Sequence, residues 1–318
     1  WRLVSRFPAA PTAVPAASPN GSLVAVASTT SANDVDVFDM EGSLVGTLLG
    51  PDEPSVVAWG IEFSPDGETV LVTYAAPEDN TYQRRAVTGA PAHPIPDGVT
   101  DIQIFDLATM SSILSLDTEH GWTHASYSQD GQTVAVSFDR EVRLFDAVSG
   151  AETSRFEVAA RAGRPVLLGA GEVLVPVDGS GFTLVSAADG SVLDHMRVAE
   201  LNPDITATNE GRTHLAYRAG EQVRVVEIAT GETIHDQLAP SVLALALDPD
   251  ATRLAHSGFD PTVHVEALVE GEQQLELNGT FENVHSLFFI GEDGLLSWGE
   301  DARLWDVSPD GPSELGGV

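Results

Sequence analysis

A short stretch of alternating apolar and polar residues recurs seven times along this chain. Its copies begin at Asp34 (DVDVFD), Asp101 (DIQIFD), Glu141 (EVRLFD), Gly181 (GFTLVS), Gln222 (QVRVVE), Thr262 (TVHVEA) and Asp301 (DARLWD). After a first interval of 67 residues, the start positions differ by 40, 40, 41, 40 and 39 residues. A period of this size indicates a repeat architecture, in which each unit buries its core only against its neighbours.

Each unit follows the same order of turns and apolar runs. A turn such as SPDG (64–67) precedes an apolar run such as TVLVTY (69–74), and the alternating stretch, a second turn and a last short run follow. The runs are rich in Val, Leu, Ile, Phe and Thr, which is strand composition, and no segment keeps a helical periodicity over three turns. Four short strands in about forty residues are typical of a propeller blade, so we predict an all-β, seven-bladed β-propeller with four antiparallel strands per blade.

The units resemble WD40 repeats. The resemblance covers essentially the whole chain and is strongest in units two, three and seven, which read SPDG…IFD, SQDG…LFD and GEDG…LWD. Unit four is the weakest match, with only GAGE at its first turn. The family signature implies structural roles for a small set of repeat positions, namely Asp139, Asp260, Trp305 and Asp306.

The repeat also suggests how the ring closes. We expect units at about 11–50, 55–118, 121–158, 163–198, 203–240, 241–277 and 283–318 of a single domain over residues 1–318. Residues 1–8 resemble the last strand of a unit, since VSRF at 4–7 matches TSRF at 153–156. Family members commonly close by pairing an N-terminal strand with the last blade, so we predict that residues 2–7 complete the blade made by 284–308. Residues 312–318 compete for the same position.

The charge of the chain limits its partners. Forty-eight Asp and Glu residues oppose fifteen basic residues, all of them Arg, which gives a net charge of −33. Such a surface repels phosphates, so we expect no direct contact with nucleic acid. No apolar run approaches the ~18 residues of a membrane span. We expect a monomeric cytoplasmic domain from a bacterium or archaeon.

Signatures of catalysis and of cofactor binding are missing from the sequence. It contains no G-x-S-x-G, H-E-x-x-H, Walker or G-x-G-x-x-G motif, and no cysteine. His120 and His124 could share a metal with Glu119, but a metal site needs three or four converging ligands, and hydrogen-bonded histidines are the more common case. We therefore predict no catalytic residues, no metal and no cofactor.

Two groups of residues are candidates for binding a partner. The first lies in the insertion at 75–99, a long loop between the second and third strands of unit two that carries Tyr82, Arg84 and Arg85. The second lies at or near the start of the first strand of a unit, where a propeller has the mouth of its central channel. Its members are Trp59, Trp122, His124 and His285.

The sequence thus favours a non-catalytic module that binds another protein or peptide. The family resemblance implies a scaffold inside a larger regulatory or signalling protein, because such propellers are often fused to kinases, NTPases or DNA-binding domains. The alternative is a propeller hydrolase, acting on lactones or sugars through carboxylates or metals at the channel mouth. That alternative requires three or more converging Asp, Glu or His side chains.

Overall fold

The protein is a ring of seven four-stranded antiparallel sheets in the described part of the chain. The computed structural model describes residues 2–9, 15–53, 56–75, 101–116, 118, 124–169, 171–259, 262–268, 274–278, 283–299 and 302–308. These residues contain no helix. The all-β, seven-bladed prediction is confirmed.

We name the strands of each blade a to d from the channel outward. Blade 1 contains β2 (Ala16–Ala17), β3 (Leu23–Ala27), β4 (Val35–Asp39) and β5 (Leu44–Leu48), and blade 2 contains β6 (Val57–Phe63), β7 (Thr69–Ala75), β8 (Ile102–Asp106) and β9 (Ser111–Leu116). Blade 3 contains β10 (His124–Tyr127), β11 (Thr133–Phe138), β12 (Glu141–Asp146) and β13 (Glu152–Glu157), and blade 4 contains β14 (Val166–Leu168), β15 (Glu172–Val177), β16 (Gly181–Ser186) and β17 (Val192–Arg197). Blade 5 contains β18 (Leu201–Thr208), β19 (His214–Ala219), β20 (Gln222–Glu227) and β21 (Thr233–Leu238), and blade 6 contains β22 (Ala244–Leu247), β23 (Arg253–Ser257), β24 (Val263–Ala267) and β25 (Leu275–Leu277). Blade 7 contains β26 (Ser286–Ile290), β27 (Gly294–Trp298), β28 (Ala302–Asp306) and, as its strand d, β1 (Arg2–Phe7).

The N-terminal strand completes the last blade. β1 pairs antiparallel with β28, in a register that places Leu3 opposite Trp305 and Phe7 opposite Ala302. This is the pairing predicted for residues 2–7 from their likeness to 153–156. Since β2 of blade 1 also contacts β26 of blade 7, the two ends of the repeat array meet and the ring is closed.

The hydrophobic core is distributed between the blades. Seven buried clusters occur, one at each interface between neighbouring blades. Each alternating stretch identified in the sequence forms a strand c, and the fifth residue of the stretch, counted from its start in the sequence, faces the preceding blade. Phe38, Phe105, Phe145 and Trp305 occupy this position in blades 1, 2, 3 and 7 and are nearly fully buried. Burial of a large side chain stabilises the fold by roughly 1.5–3 kcal/mol, so these residues hold one blade to the next.

Candidate interaction face

One face of the ring carries the connections from strand d to the next strand a and those from strand b to strand c. We call it the loop face. His124 lies on it at the start of β10, and His285 lies on it directly before β26. β7 ends on it at Ala75 and β8 begins on it at Ile102, so the insertion is attached there. Tyr82, Arg84, Arg85, Trp122 and Asp260 fall outside the described residues, and so does His120.

The insertion starts and ends on a fixed base. Ala75 and Ile102 are buried, and Asp101 is only 1% exposed. The backbone carbonyl of Asp101 accepts a hydrogen bond from the Tyr74 N–H at 2.8 Å. Its carboxylate accepts one from the Thr118 N–H at 3.0 Å, which joins the base to the connection after β9. Both attachment points of the insertion are therefore buried and hydrogen-bonded parts of blade 2.

A charged cluster joins three blades on the loop face. The guanidinium of Arg161 donates to Asp204 Oδ1 at 2.9 Å, and His124 Nε2 lies 3.5 Å from the same oxygen. Arg161 Nε also lies 3.7 Å from a carboxylate oxygen of Asp178. Asp204 follows Leu201 in the part of β18 where pairing with β19 is interrupted, which lets its side chain leave the sheet. The cluster thus connects strand a of blade 3, the turn between strands b and c of blade 4 and strand a of blade 5.

A glycine brings these charges together. The backbone of Gly163 lies so close to the Pro203 carbonyl that a Cβ would be 2.1 Å from its oxygen. Its N–H donates to the Pro176 carbonyl at 2.8 Å, and the Asp178 N–H donates to the Arg161 carbonyl at 2.9 Å. The loop before β14 is therefore held against both β15 and β18, which places Arg161 beside Asp204.

The pKa of Asp204 reflects two opposing effects. Burial alone would raise the pKa of this carboxyl, but the hydrogen bonds and positive charges of His124 and Arg161 outweigh burial and hold it well below its usual range. The carboxylate therefore stays ionised at neutral pH. It can pair with cations and accept hydrogen bonds, but it has no proton to donate as a general acid.

A second set of charges lines the channel. Glu62 on β6 forms an ion pair with Arg164, which comes from the connection before β14. Its other carboxylate oxygen accepts the Tyr127 N–H at 3.3 Å. Arg212, from the turn between strands a and b of blade 5, donates to the carbonyl of Tyr127 at 2.7 Å and to that of Leu167. These contacts connect strands a of blades 2, 3 and 4 with the connection before β14 and with the turn between strands a and b of blade 5.

The remaining predicted residues near the channel mouth are half-buried. Trp59 lies in β6 where the pairing register shifts between Ala58 and Gly60. The His285 N–H donates to the Trp298 carbonyl at 2.7 Å, and its ring packs edge-on against the Trp298 indole with centroids 6.0 Å apart. Trp59 lies in strand a of blade 2 and His285 lies directly before strand a of blade 7, whereas the Asp204 cluster is built from blades 3, 4 and 5.

The described repeat positions make contacts within the fold. The Asp139 carbonyl accepts the Ala162 N–H at 2.6 Å from a backbone with φ of +48°. Trp305 Nε1 donates to Ser297 Oγ at 2.8 Å. Asp306 Oδ1 accepts the Ser308 hydroxyl at 2.6 Å. Asp139, Trp305 and Asp306 therefore order turns and hold strands together.

Sequence reasoning missed several residues on this face. Arg161, Asp204 and Phe259 were not predicted, and Phe259 is 55% exposed in the turn between β23 and β24. Arg161 and Arg164 share the segment RAGRP, an unusual density of Arg for so acidic a chain, and this was the available signal. For Phe259 no signal existed, because a single aromatic residue in a turn does not reveal its exposure.

Comparisons with known proteins identify the fold. No protein-family model matches the chain, and no curated protein matches it either. Among solved structures, a chain from a structure titled "Crystal Structure of Mitotic Checkpoint Complex" aligns with a TM-score of 0.71 at 14% identity. The alignment covers 93% of this chain and 87% of that one. In the described part of the chain, no helix has the length and apolar character needed to cross a bilayer. The chain has the fold of a WD40-like seven-bladed propeller.

Proposed function

We propose that this chain is a non-catalytic module that binds another protein or peptide through its loop face. The main support for the proposal is that the long insertion, an exposed aromatic residue and the Asp204 cluster all lie on this one face. The insertion is anchored there at Ala75 and Ile102, Phe259 is exposed there, and the Asp204 cluster joins three blades there. Exposed aromatic and Arg side chains are frequent anchors of protein interfaces.

The chemistry of the Asp204 cluster favours recognition over catalysis. A catalytic acid at the channel mouth would need a raised pKa, whereas the cations around Asp204 lower its pKa. The Arg161 guanidinium and the Asp204 carboxylate also neutralise each other, which leaves an ordered polar surface. We therefore assign the cluster to the binding face. Hydrolysis of a substrate at the channel mouth would contradict the proposal.

The charge of the chain favours a polypeptide partner with a basic segment. At a net charge of −33, long-range electrostatics attract cationic partners and speed their association. Within this proposal, Tyr82, Arg84, Arg85 and Trp122 are candidate contacts together with Trp59, His124 and His285. The expectation of a larger regulatory protein around the propeller rests on the WD40 resemblance.

The test compares the two faces of the ring with matched substitutions. Phe259→Ser changes the loop face, whereas Val148→Ser changes an apolar residue that is more exposed, at 78%, in the turn between β12 and β13 on the opposite face. Tagged wild type, both variants and a deletion of residues 77–97 are used to capture partners from a lysate of the source cells. We expect a specific protein to be retained by wild type and Val148→Ser and to be lost with Phe259→Ser or the deletion.

Two results would contradict the proposal. Equal capture by all four folded proteins would show that the loop face is not used. Turnover of lactone or glycoside substrates by the wild type, lost on substitution at the channel mouth, would make the protein an enzyme. Circular dichroism of each variant shows whether a loss of capture comes from unfolding.

A further inference from the structure

The outer strands of blades 1 and 2 differ in charge from those of the other blades. Strand d forms the outer edge of each sheet, and neither β5 (LVGTL) nor β9 (SSILSL) contains a charged residue. Each other strand d carries at least one exposed charged side chain, such as Arg6, Arg155, Asp194, Asp236 and Glu276. Charged side chains commonly protect sheet edges from unwanted contacts, so two neighbouring uncharged edges are unexpected in a chain with 48 acidic residues.

A β-bulge exposes an apolar side chain in each of these two strands. The pairing of β5 with β4 passes over Val45, and the pairing of β9 with β8 passes over Ile113. Val45 is 49% exposed and Ile113 is 57% exposed, as is Leu44 directly before Val45. The outer wall of blades 1 and 2 therefore presents large apolar side chains to solvent.

Met110 joins the two strands. It lies directly before β9, and its side chain reaches β5, where a Cβ at Gly46 would lie 3.0 Å from Met110 Cγ. Glycine at this position leaves room for the methionine, which is half-buried and also packs against the core between blades 1 and 2. Methionine is flexible and polarisable, and it is common on surfaces that adapt to a partner. We call Leu44, Val45, Met110 and Ile113 the outer patch.

Carboxylates border the outer patch on the side of the turns between strands c and d. Asp39 Oδ1 accepts the Ser43 N–H at 2.8 Å, and Asp106 Oδ1 accepts the Thr109 N–H at 2.8 Å. Ser43 and Thr109 are each directly followed by a residue of the outer patch. Hydrogen bonds from Thr109 lower the pKa of Asp106, so this carboxyl is ionised at neutral pH. A partner that covers the patch therefore meets negative charge along one side of it.

The bulges and the charge decide which kind of partner fits. A strand that adds to a sheet edge needs a continuous run of free backbone groups, whereas the bulge at Val45 leaves only Gly46–Leu48 of β5 in regular register. A second copy of the chain would bring its own Asp39 and Asp106 and a net charge of −33 to the contact, and these charges would repel each other. A helix with an apolar stripe bordered by Lys or Arg complements both features of the patch.

We propose that the outer patch is a second interaction surface, which binds a basic amphipathic helix of a partner protein. The apolar stripe of the helix covers Val45, Met110 and Ile113, and cationic side chains along its border pair with Asp39 and Asp106. The outer patch lies on the outer wall of the ring and contains no residue of the loop face, so this inference does not depend on the function proposed above. Two separate surfaces allow one propeller to hold two polypeptide segments at the same time.

The first test locates a bound helix by nuclear magnetic resonance. The probe is a synthetic peptide of Leu and Lys in which Leu recurs every three or four residues, added at about 0.15 M salt to screen exposed charges. In protein labelled on the methionine methyl groups, the chain gives three signals, from Met40, Met110 and Met196. The peptide should shift the signal of Met110 and leave that of Met196, on β17, unchanged. Absence of binding, or a complex that leaves the Met110 signal unchanged, would overturn the proposal.

The second test compares matched pairs of substitutions in binding titrations with the same peptide. One variant combines Val45→Asn with Ile113→Asn. The control combines Leu193→Asn with Ile234→Asn, because these residues occupy the bulges of β17 and β21 and are 50% and 42% exposed. The Val45 and Ile113 variant should bind about tenfold more weakly than wild type, since it loses apolar contact area, and the control should bind like wild type.

Equal affinities of the two variants would overturn the proposal, and circular dichroism shows whether each variant is folded. A peptide with Ser in place of every Leu keeps the charge and should bind more weakly. If it binds as tightly as the Leu and Lys peptide, charge alone accounts for the binding and the outer patch is not a site. Sedimentation of the wild type tests the remaining occupant, because a dimer that is lost with Val45→Asn and Ile113→Asn would assign the patch to a second copy instead.

Discussion

Trp305 and Ser297 form a buried hydrogen bond between β28 and β27, with the indole Nε1 donating to the hydroxyl oxygen at 2.8 Å. Trp305 is 2% exposed and Ser297 is 1% exposed. The same tryptophan lies opposite Leu3 of β1, so the bond orders β28, the strand with which the N-terminal strand β1 pairs. The bond therefore connects the core of blade 7 to the strand pairing that closes the ring.

We predict that Trp305 and Ser297 are coupled energetically. Ser297→Ala removes the buried acceptor, and Trp305→Phe removes both the donor and part of the packing, so each variant should lose about 1–3 kcal/mol of unfolding free energy. In a double-mutant cycle by urea unfolding, the combined loss should be about 1 kcal/mol smaller than the sum of the single losses. Strict additivity would show that the bond contributes nothing beyond packing.

Phe7 should be the residue of β1 that matters most for ring closure. It is 0% exposed and packs against Phe38 of blade 1 with ring centroids 5.8 Å apart, while its strand belongs to blade 7. Phe7→Ala should therefore cost about 3–5 kcal/mol, since it opens a cavity between the first and last blades. Leu3→Ala in the same strand, at 37% exposure, is the matched control and should cost under about 1 kcal/mol. Urea midpoints measure both, and equal losses would argue against closure through Phe7.

The fold was predictable from the sequence because its evidence is repeated. Each blade carries the same strand pattern, so weak signals from seven copies reinforce one another, and VSRF at 4–7 could be matched to TSRF at 153–156. The contacts that distinguish this protein occur once each. His124 and Asp204 come from blades 3 and 5, and their approach depends on the interrupted pairing of β18. His235 and Glu266 meet across a blade interface, and local patterning does not reveal which side chains face each other there.

Asp204 should stabilise the protein in a pH-dependent way. Since the pKa of its carboxyl is lower in the folded protein than in the unfolded chain, its contribution is complete above the unfolded value of about 3.9. The contribution is lost as the pH falls below that value towards the folded pKa. Asp204→Asn should therefore lose about 1 kcal/mol at pH 7 and at pH 5, and the difference from wild type should shrink at pH 3 and below.

Urea unfolding at these three pH values measures the effect of Asp204→Asn. Arg161→Gln should remove part of the same stabilisation, because Arg161 donates a hydrogen bond to Asp204 at 2.9 Å. The two substitutions together should therefore cost less unfolding free energy than the sum of the two single losses. Asp194→Asn, an exposed aspartate on β17, serves as the control and should be nearly neutral. A loss of unfolding free energy for Asp204→Asn that is as large at pH 3 as at pH 7 would show that the effect does not depend on ionisation of the carboxyl.

Gly181 should be the least replaceable glycine in a strand of this ring. It begins β16 with φ of +117°, and a Cβ there would lie 2.1 Å from the Met196 carbonyl oxygen in the adjacent β17. Gly181→Ala must therefore strain the backbone and push two paired strands apart, and we expect a loss of about 3 kcal/mol or more. Gly231→Ala is the matched comparison, because its φ is also positive at +71° but no atom lies within 4 Å of the added methyl group. Gly231→Ala should lose only about 1 kcal/mol of unfolding free energy, which is the cost of the backbone conformation alone. Urea unfolding of the two variants therefore separates the steric conflict from the backbone effect. Equal losses would show that β17 moves aside at little cost.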